Sequence, residues 1–412
     1  MPHHSAPPSL STLALPLSGG MLALMLAALA MLGPFSVDTY LPAFPAIEQA
    51  LAATPIEVQQ TLSFYMLAFA VMTLWHGALS DTFGRRNTIL IALIIFAIAT
   101  LGCLLAPTIE SLWAFRILQG LSAGAGTVIG RAIIRDLYVG APAEKLLALV
   151  MMIFSVAPAI APIFGGWVVK LFDWRYISLC LLLYATGLFW WCYRQLPETL
   201  PLASRQPLLP RPLLQRYVTI FSTPLFHLRA GTVAFNFAGL FLYVAAAPAF
   251  ILQHLHLEAH QFGWQFIPAV LGIFLGSLTA NRLAGRVLIH VQIRAGFLVL
   301  LTAALVNVLY HAWQPPALPW SVLPLFFYTT GMGMITPGAT MLVLDLFQEM
   351  RGTLASCQSF TQTMMGAIVA GLAAPLLDGS AWSLAWGQLG FGLLAWTCWV
   401  TSRAHRLPTR SD

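Results

Sequence analysis

The chain of 412 residues is 59% hydrophobic and only 8% charged, with a mean hydropathy of +0.80. A soluble domain carries about 25% charged residues, so this composition excludes a globular core with a wet surface and makes lipid the main solvent. The formal net charge of +6 is spread over many short loops with no basic face, which excludes a nucleic-acid-binding protein.

Residues 1–19 are rich in Pro, Ser and His and hold no Lys or Arg. A secretory signal needs a basic start, so this segment is expected to be a tail and the first apolar run to stay as a helix. At about 20 apolar residues per crossing, the chain has room for about twelve spans. The first six are expected at Gly20–Tyr40, Val58–Leu79, Thr88–Ala106, Leu112–Ile134, Leu146–Leu171 and Arg175–Leu196. The second six are expected at Leu225–Leu252, Phe262–Arg282, Leu288–Trp313, Ser321–Leu344, Gly352–Leu376 and Trp382–Ser402. The runs are continuous and do not alternate, which argues against a β-barrel. Helices satisfy every backbone group inside lipid.

Pro197–Thr223 holds five prolines and three arginines and is the longest polar interruption. It divides the chain into a first bundle (20–196), a linker (197–223), a second bundle (224–402) and a tail (403–412). The expected fold is therefore an all-α integral membrane protein, with twelve transmembrane helices in two six-helix bundles. With both termini on the cytoplasmic side, seventeen Lys and Arg fall in inner loops and tail, against Lys170 and Arg175 in outer loops. That asymmetry predicts the orientation. The cysteines Cys103, Cys180, Cys192, Cys357 and Cys398 sit in apolar runs and read as packing residues.

Ionisable residues inside a span are costly and mark function. Two stand out: Asp38 in the outer part of the first span, and Arg116 in the fourth, within Arg116-Ile117-Leu118-Gln119-Gly120. A desolvated carboxylate can take up and release a proton near neutral pH. The plainer readings are a solvated interfacial Asp38 and a packing Arg116. The loop after the second span carries Gly77, Asp81, Gly84, Arg85 and Arg86. Gly77 suits a close helix approach, Gly84 a tight turn, and Asp81 can pair with Arg85. The fifth span carries Pro158, Pro162, Gly165 and Gly166, a combination of bends and small packing residues. The outer-loop histidines His254, His256 and His260 have spacing that admits a metal, but loop histidines are ordinarily solvated and no metal site is expected.

These segments resemble the major facilitator superfamily. Gly77–Arg86 is similar to its loop signature, Arg116–Gly120 to the fourth-span signature of proton-coupled members, and Pro158–Gly166 to the fifth-span antiporter signature. Asp38–Pro45, Arg131–Tyr138 and Pro337–Ser356 together resemble the Bcr/CflA branch of twelve-span drug:proton antiporters. The resemblance implies two pseudo-symmetric bundles and proton-driven efflux of small amphipathic compounds of bicyclomycin, chloramphenicol or sulfonamide type. It implies Asp38 as the proton carrier, modulated by Arg116. It implies a charge cluster of Asp81, Arg85 and Asp136, with Asp81 near the start of the eleventh span when the protein faces outward. The second-half counterpart, Gly276–Arg286, lacks the Asp, so the charge lock is expected on one half only.

A broad apolar pocket between the halves has as candidates Tyr40, Tyr65, Met66, Phe154, Phe235, Asn236, Tyr243, Trp264, Phe360 and Gln362. No phosphate-binding loop of the GxxxxGK[ST] type is present, so no nucleotide or other cofactor is expected and the proton gradient is the energy source. A monomer in the bacterial inner membrane is implied by resemblance. Export of a metabolite such as an amino acid or peptide is the alternative within the family. A membrane enzyme or non-transporting sensor is the alternative outside it.

Overall fold

The computed structural model describes residues 18–404, which form helices and connections without a strand. Ten helical stretches are long and apolar enough to cross a membrane. We name them α1 (Gly19–Leu51), α2 (Pro55–Phe83), α3 (Arg85–Leu105), α4 (Ile109–Leu137), α5 (Ala141–Leu171), α6 (Arg175–Gln195), α7 (Pro224–Ala245), α8 (Ala259–Leu283), α9 (Ile289–Trp313) and α11 (Arg351–Leu377). Two more, α10 (Leu323–Leu344, 22 residues) and α12 (Ala381–Ala404, 24 residues), are long enough to span. Gly and Thr in α10, and Trp, Ser and Gln in α12, dilute their hydropathy. Together they make the twelve-helix architecture expected from the sequence, in two pseudo-symmetric six-helix bundles.

Local chemistry sets the boundaries. Thr54 and Glu57 close a capping box at the start of α2, with Pro55 at the first helical position. Between α2 and α3 the turn is a single residue, Gly84, at φ +94°. Several spans are broken. α1 breaks after Asp38, passes through a 3₁₀ turn at Leu41–Ala43 and resumes as Phe44–Leu51. Pro42 and Pro45 cannot donate to the preceding turn. α4 breaks at Gly124, α5 at Ser155 and Val156, and α11 carries a π segment at Val369–Ala373.

Three boundaries differ from the sequence reading. α1 runs on past Tyr40 to Leu51. The run expected to continue to Leu252 ends as a regular helix at Ala245, followed by a π turn at Ala249–His254. The 197–223 linker is not a plain connection. It contains a 3₁₀ turn at Leu202–Ser204 and a helix at Pro210–Phe221. That helix buries Tyr217 and Ile220 against Phe226, Val343 and Leu354. Its Tyr217 hydroxyl donates to the Leu74 carbonyl of α2 at 2.5 Å.

In the first half α2 packs on α4, and α3 on α4 and α6; in the second, α10 packs on α8 and α9, and α7 on α12. Contacts between halves run through α2 with α11 and α5 with α8. From α2, three hydrogen bonds cross between them among the described residues: Gln59 Nε2 to Ala245 O (3.0 Å), Gln60 Nε2 to Gly371 O (3.0 Å) and Ser63 Oγ to Ala367 O (3.0 Å). All three donors sit in the first turns of α2, at the face opposite the linker. The halves therefore meet at that opposite face. At the linker face a cleft of about 370 Å³ separates α2, α4 and α5 from α10 and α11.

Candidate functional site

Arg116 is 1% exposed, in the middle of the first half. Burial of a guanidinium requires that its donors and its flat faces find partners. Nη1 donates to the Ser36 carbonyl at 2.8 Å and to Gln119 Oε1 at 2.7 Å. The rings of Tyr40 and Tyr65 lie 4.6 and 4.5 Å from the guanidinium carbon, close enough for cation–π attraction. A second shell fixes these partners. Gln119 Nε2 donates to Thr100 Oγ1 at 2.8 Å, and Ser36 Oγ donates to Tyr65 Oη at 2.6 Å. Tyr40 is hydrogen-bonded to Ser178. Arg116 Nε has no hydrogen-bond partner among the described residues.

Asp38 ends the first piece of α1, two residues after Ser36, and is 6% exposed. It forms no ion pair with Arg116 and no hydrogen bond among the described residues. The break in α1 places this carboxylate at the carbonyl end of a helix, where the macrodipole disfavours negative charge. The arrangement is a buried cation held through Nη1 and two flanking rings, and, in the same half, a buried acid with no partner among the described residues.

The loop signature forms a second cluster at the linker face. Arg85, only 7% exposed, pairs with Asp81 and with Asp136, whose Oδ2 lies 3.0 Å from Nε. Its Nη1 also donates to Ser80 Oγ at 2.6 Å. The expected triad is thus brought together. Arg86 is not part of it. Its Nη2 donates to the Tyr193 carbonyl at 2.7 Å on α6. Gly77 does not mediate a close approach either, since a side chain there would meet only Val128 at ordinary contact distance. Asp81 is held by Arg85, and the start of α11 instead lines the open cleft.

The linker adds residues that the sequence reading missed. Glu198 Oε1 accepts the Arg85 backbone N–H at 2.9 Å, and Thr199 Oγ1 donates to Asp136 Oδ2 at 3.0 Å. Arg205 pairs with Glu198 at 3.4 Å, and the Gln206 N–H donates to the Asp81 carbonyl at 3.1 Å. The one available signal was an acid, Glu198, directly after a span and beside a proline.

Gly165 and Gly166 of α5 lie where backbones touch. A side chain at Gly165 would strike the Thr39 backbone, and one at Gly166 the Ala259 backbone of the other half. Pro158 opens the second piece of α5 and Pro162 lies inside it. Beside this contact, Lys170 Nζ pairs with Glu258 Oε2 at 3.1 Å, as does His260 Nδ1 at 3.1 Å. His254 instead meets the Asp378 carbonyl at 2.7 Å, so these two histidines have separate partners.

The pocket candidates do not converge on one surface. Tyr40 and Tyr65 wrap Arg116. Met66 faces Gly366 across the halves. Phe235 stacks on Phe391 at 6.5 Å, and Asn236 donates to Thr336 Oγ1 at 3.3 Å. Phe154 ends the first piece of α5, beside its break, and Gln362 is half-buried on α11. Three assignments are corrected. Tyr243 is fully buried inside the second half, accepting from Asn307 Nδ2 at 2.8 Å. Trp264 is 50% exposed and continues a lipid-facing stripe with Ile267, Leu271 and Phe274. Phe360 packs edge-on against Phe221 of the linker helix at 5.7 Å.

Two helical bundles that touch at one face and part at the other, with ionisable groups buried inside a bundle, define a two-bundle membrane transporter. The profile of the Major Facilitator Superfamily matches residues 24–371, and the chain belongs to this superfamily. It is similar to the bicyclomycin resistance protein homolog of Haemophilus influenzae, with 28% identity over 86% of this chain and 88% of that one. It is similar to multidrug resistance protein D of Escherichia coli, with 29% identity over 92% of this chain and 95% of that one. Among solved structures, a bacterial homolog of the human lysosomal transporter Spinster superposes with a TM-score of 0.69 at 16% identity, covering 95% of this chain and 99% of that one. That likeness concerns the fold.

Proposed function

We propose that this protein is a proton-coupled exporter of small amphipathic compounds, a multidrug efflux antiporter of the bacterial inner membrane. The observation that carries the reading is the buried Asp38, without a partner among the described residues, two residues beyond the Ser36 carbonyl that holds the buried Arg116. Names of the relatives, one for bicyclomycin resistance and one for multidrug resistance, support the substrate class.

In this reading the linker face is cytoplasmic, both termini lie inside, and the cleft admits substrate from the cytoplasm. The halves rock about their contact. Asp38 takes a proton from outside, substrate leaves outward, and return to the inward state delivers the proton inside. Arg116, held by Ser36, Gln119 and two tyrosines, biases the protonation of Asp38 through the segment they share. The Arg85 cluster with its linker partners holds the first half rigid at the cytoplasmic end. Pro158, Pro162, Gly165 and Gly166 let α5 bend against α8. The chain works as a monomer in lipid, without a bound cofactor, on the proton gradient.

Everted vesicles test this. Adding substrate to energised vesicles should dissipate part of the proton gradient. If no compound in a bicyclomycin, chloramphenicol and sulfonamide panel does so, the antiport reading fails. If Asp38→Asn keeps full coupled efflux, the carrier lies elsewhere.

A further inference from the structure

The cleft at the linker face holds charge that the proposed cycle does not use. Arg131 and Arg135 stand one turn apart on α4, so both occupy one helix face, and both line the cleft. Neither makes a hydrogen bond or ion pair among the described residues. Both are exposed to the cleft, unlike the buried arginines of the first half: Arg85 is taken by two carboxylates and Arg116 by a carbonyl and an amide.

The remaining ionisable groups around the cleft do not neutralise them. Asp136, next in sequence, is committed to Arg85 and Thr199. Across the cleft Asp345 is taken by Arg351 at 3.2 Å. Glu144 of α5 lines the same space but forms an ion pair with neither arginine. The start of α11, at Arg351 and Gly352, faces the cleft with no side-chain cap on its amides, which adds positive potential. Val128, Ile134, Leu147 and Leu344 make much of the remaining wall apolar, with hydroxyls from Thr73, Ser356 and Ser359 beside them.

A topology signal alone would place arginines in loops, in water. These two lie in the last turns of α4, which continues to Leu137, and are exposed where the cleft opens between the halves. Two guanidinium groups without partners among the described residues, over a largely apolar wall, match a molecule with an anionic head and an apolar body. We propose that this cleft binds the carboxylate, sulfonate or phosphate head of an amphipathic molecule, held by Arg131 and Arg135. As a step in transport, the inference rests on the export reading above. As a binding site, it stands on the cleft alone.

The test uses the full chain in nanodiscs of phosphatidylcholine, with dansyl-phenylalanine and its methyl ester as fluorescent probes. The acid should bind more tightly than the ester, and more weakly as salt rises. The double variant Arg131→Gln, Arg135→Gln should lose about tenfold or more of the acid's affinity and leave the ester within about twofold. Lys145→Gln removes a charge from the start of α5, outside the cleft lining, and should change neither. Equal binding of acid and ester by the unmodified protein overturns the proposal, even if the double variant does not fold. So does an equal loss for both probes.

Adding phosphatidylglycerol distinguishes the source of the anion. Displacement of the acid assigns the site to a lipid head group, and no displacement assigns it to a solute. Vesicle transport separates the two readings. If the double variant exports the ester and not the acid, both stand. If charge-dependent binding persists but neither probe is exported, the site stands and the export reading fails for these compounds.

Discussion

The Glu198 carboxylate fills the space that a side chain on Gly84 would occupy. The same carboxylate accepts the Arg85 N–H at 2.9 Å, from a position 113 residues away in sequence. A glycine and an acid thus join the turn between two spans to the segment that links the halves.

Gly84→Ala should be more harmful than its single carbon suggests. The backbone at φ +94° and ψ 153° suits glycine almost alone, at a cost of about 1–3 kcal/mol for other residues. The new carbon also displaces Glu198. The expected result is faster proteolysis of the linker and a lower Tm in detergent. In a Glu198→Ala background the steric part shrinks to the flexible end of Arg205 and the conformational part stays, so the added loss should be smaller. An equal loss in both backgrounds would show that the two residues do not interact.

Arg116→Ala should be strongly destabilising, by about 2–4 kcal/mol, because it strands the Ser36 carbonyl and Gln119 and opens space between two tyrosines. Arg116→Lys keeps the charge but cannot present a flat cation to both rings and two acceptors at once. Thermal unfolding should rank the chains as unmodified, then Lys, then Ala. Transport should fall in both variants.

Asp38→Asn should behave in the opposite way. No partner in the chain is lost, and a buried charge is removed. Its Tm should equal or exceed that of the unmodified protein, while substrate-driven proton movement disappears. A substantial drop in Tm would mean that Asp38 is a structural residue.

Gly166→Val should separate the halves at the face opposite the linker, since its side chain collides with the Ala259 backbone, which cannot swing aside. Labelling of a cysteine placed at residue 259 should accelerate, and efflux should stop. Unchanged labelling would place the contact elsewhere during the cycle.

Glu258 gives a pH dependence at the same contact. The hydrogen bond and charge of Lys170, with His260 beside it, hold its carboxyl below the ordinary carboxylate range. A depressed acid supports its contact above the ordinary value and loses it as pH falls through the lowered one. Acidifying that side should therefore loosen the Lys170–Glu258 bridge, with no such effect in Glu258→Gln. Both side chains are well exposed, at 41% and 68%, so the effect should be small and fade with salt. Distance measurements between labels on α5 and α8 would follow it.

The twelve spans were legible because lipid demands long apolar runs, and run length survives without tertiary information. Arg85, Asp81 and Asp136 were legible as a cluster through a resemblance in local spacing. Glu198 was not, because its partner is set by how the linker folds back and leaves no periodic trace. The breaks at Gly124 and Ser155 were missed for a related reason: composition there stays apolar and only the backbone changes. Trp264 and Tyr243 show the limit most clearly. Aromatic residues on a hydrophobic helix look alike whether they face lipid, a sister helix or a cavity, and only packing assigns the direction.

The buried polar groups of the two halves differ in kind. In the spans of the first half they include the ionisable residues Asp38, Arg85 and Arg116; deep in the second they are the neutral amides Asn236, Gln265, Gln292, Asn307 and Gln388. A transmembrane voltage does work only on charge that changes depth, about 2.3 kcal/mol per elementary charge per 100 mV. An amide that moves with its helix gains almost nothing from that field. The electrical force on this protein therefore acts mainly on one half, with the other serving as the neutral body against which it turns.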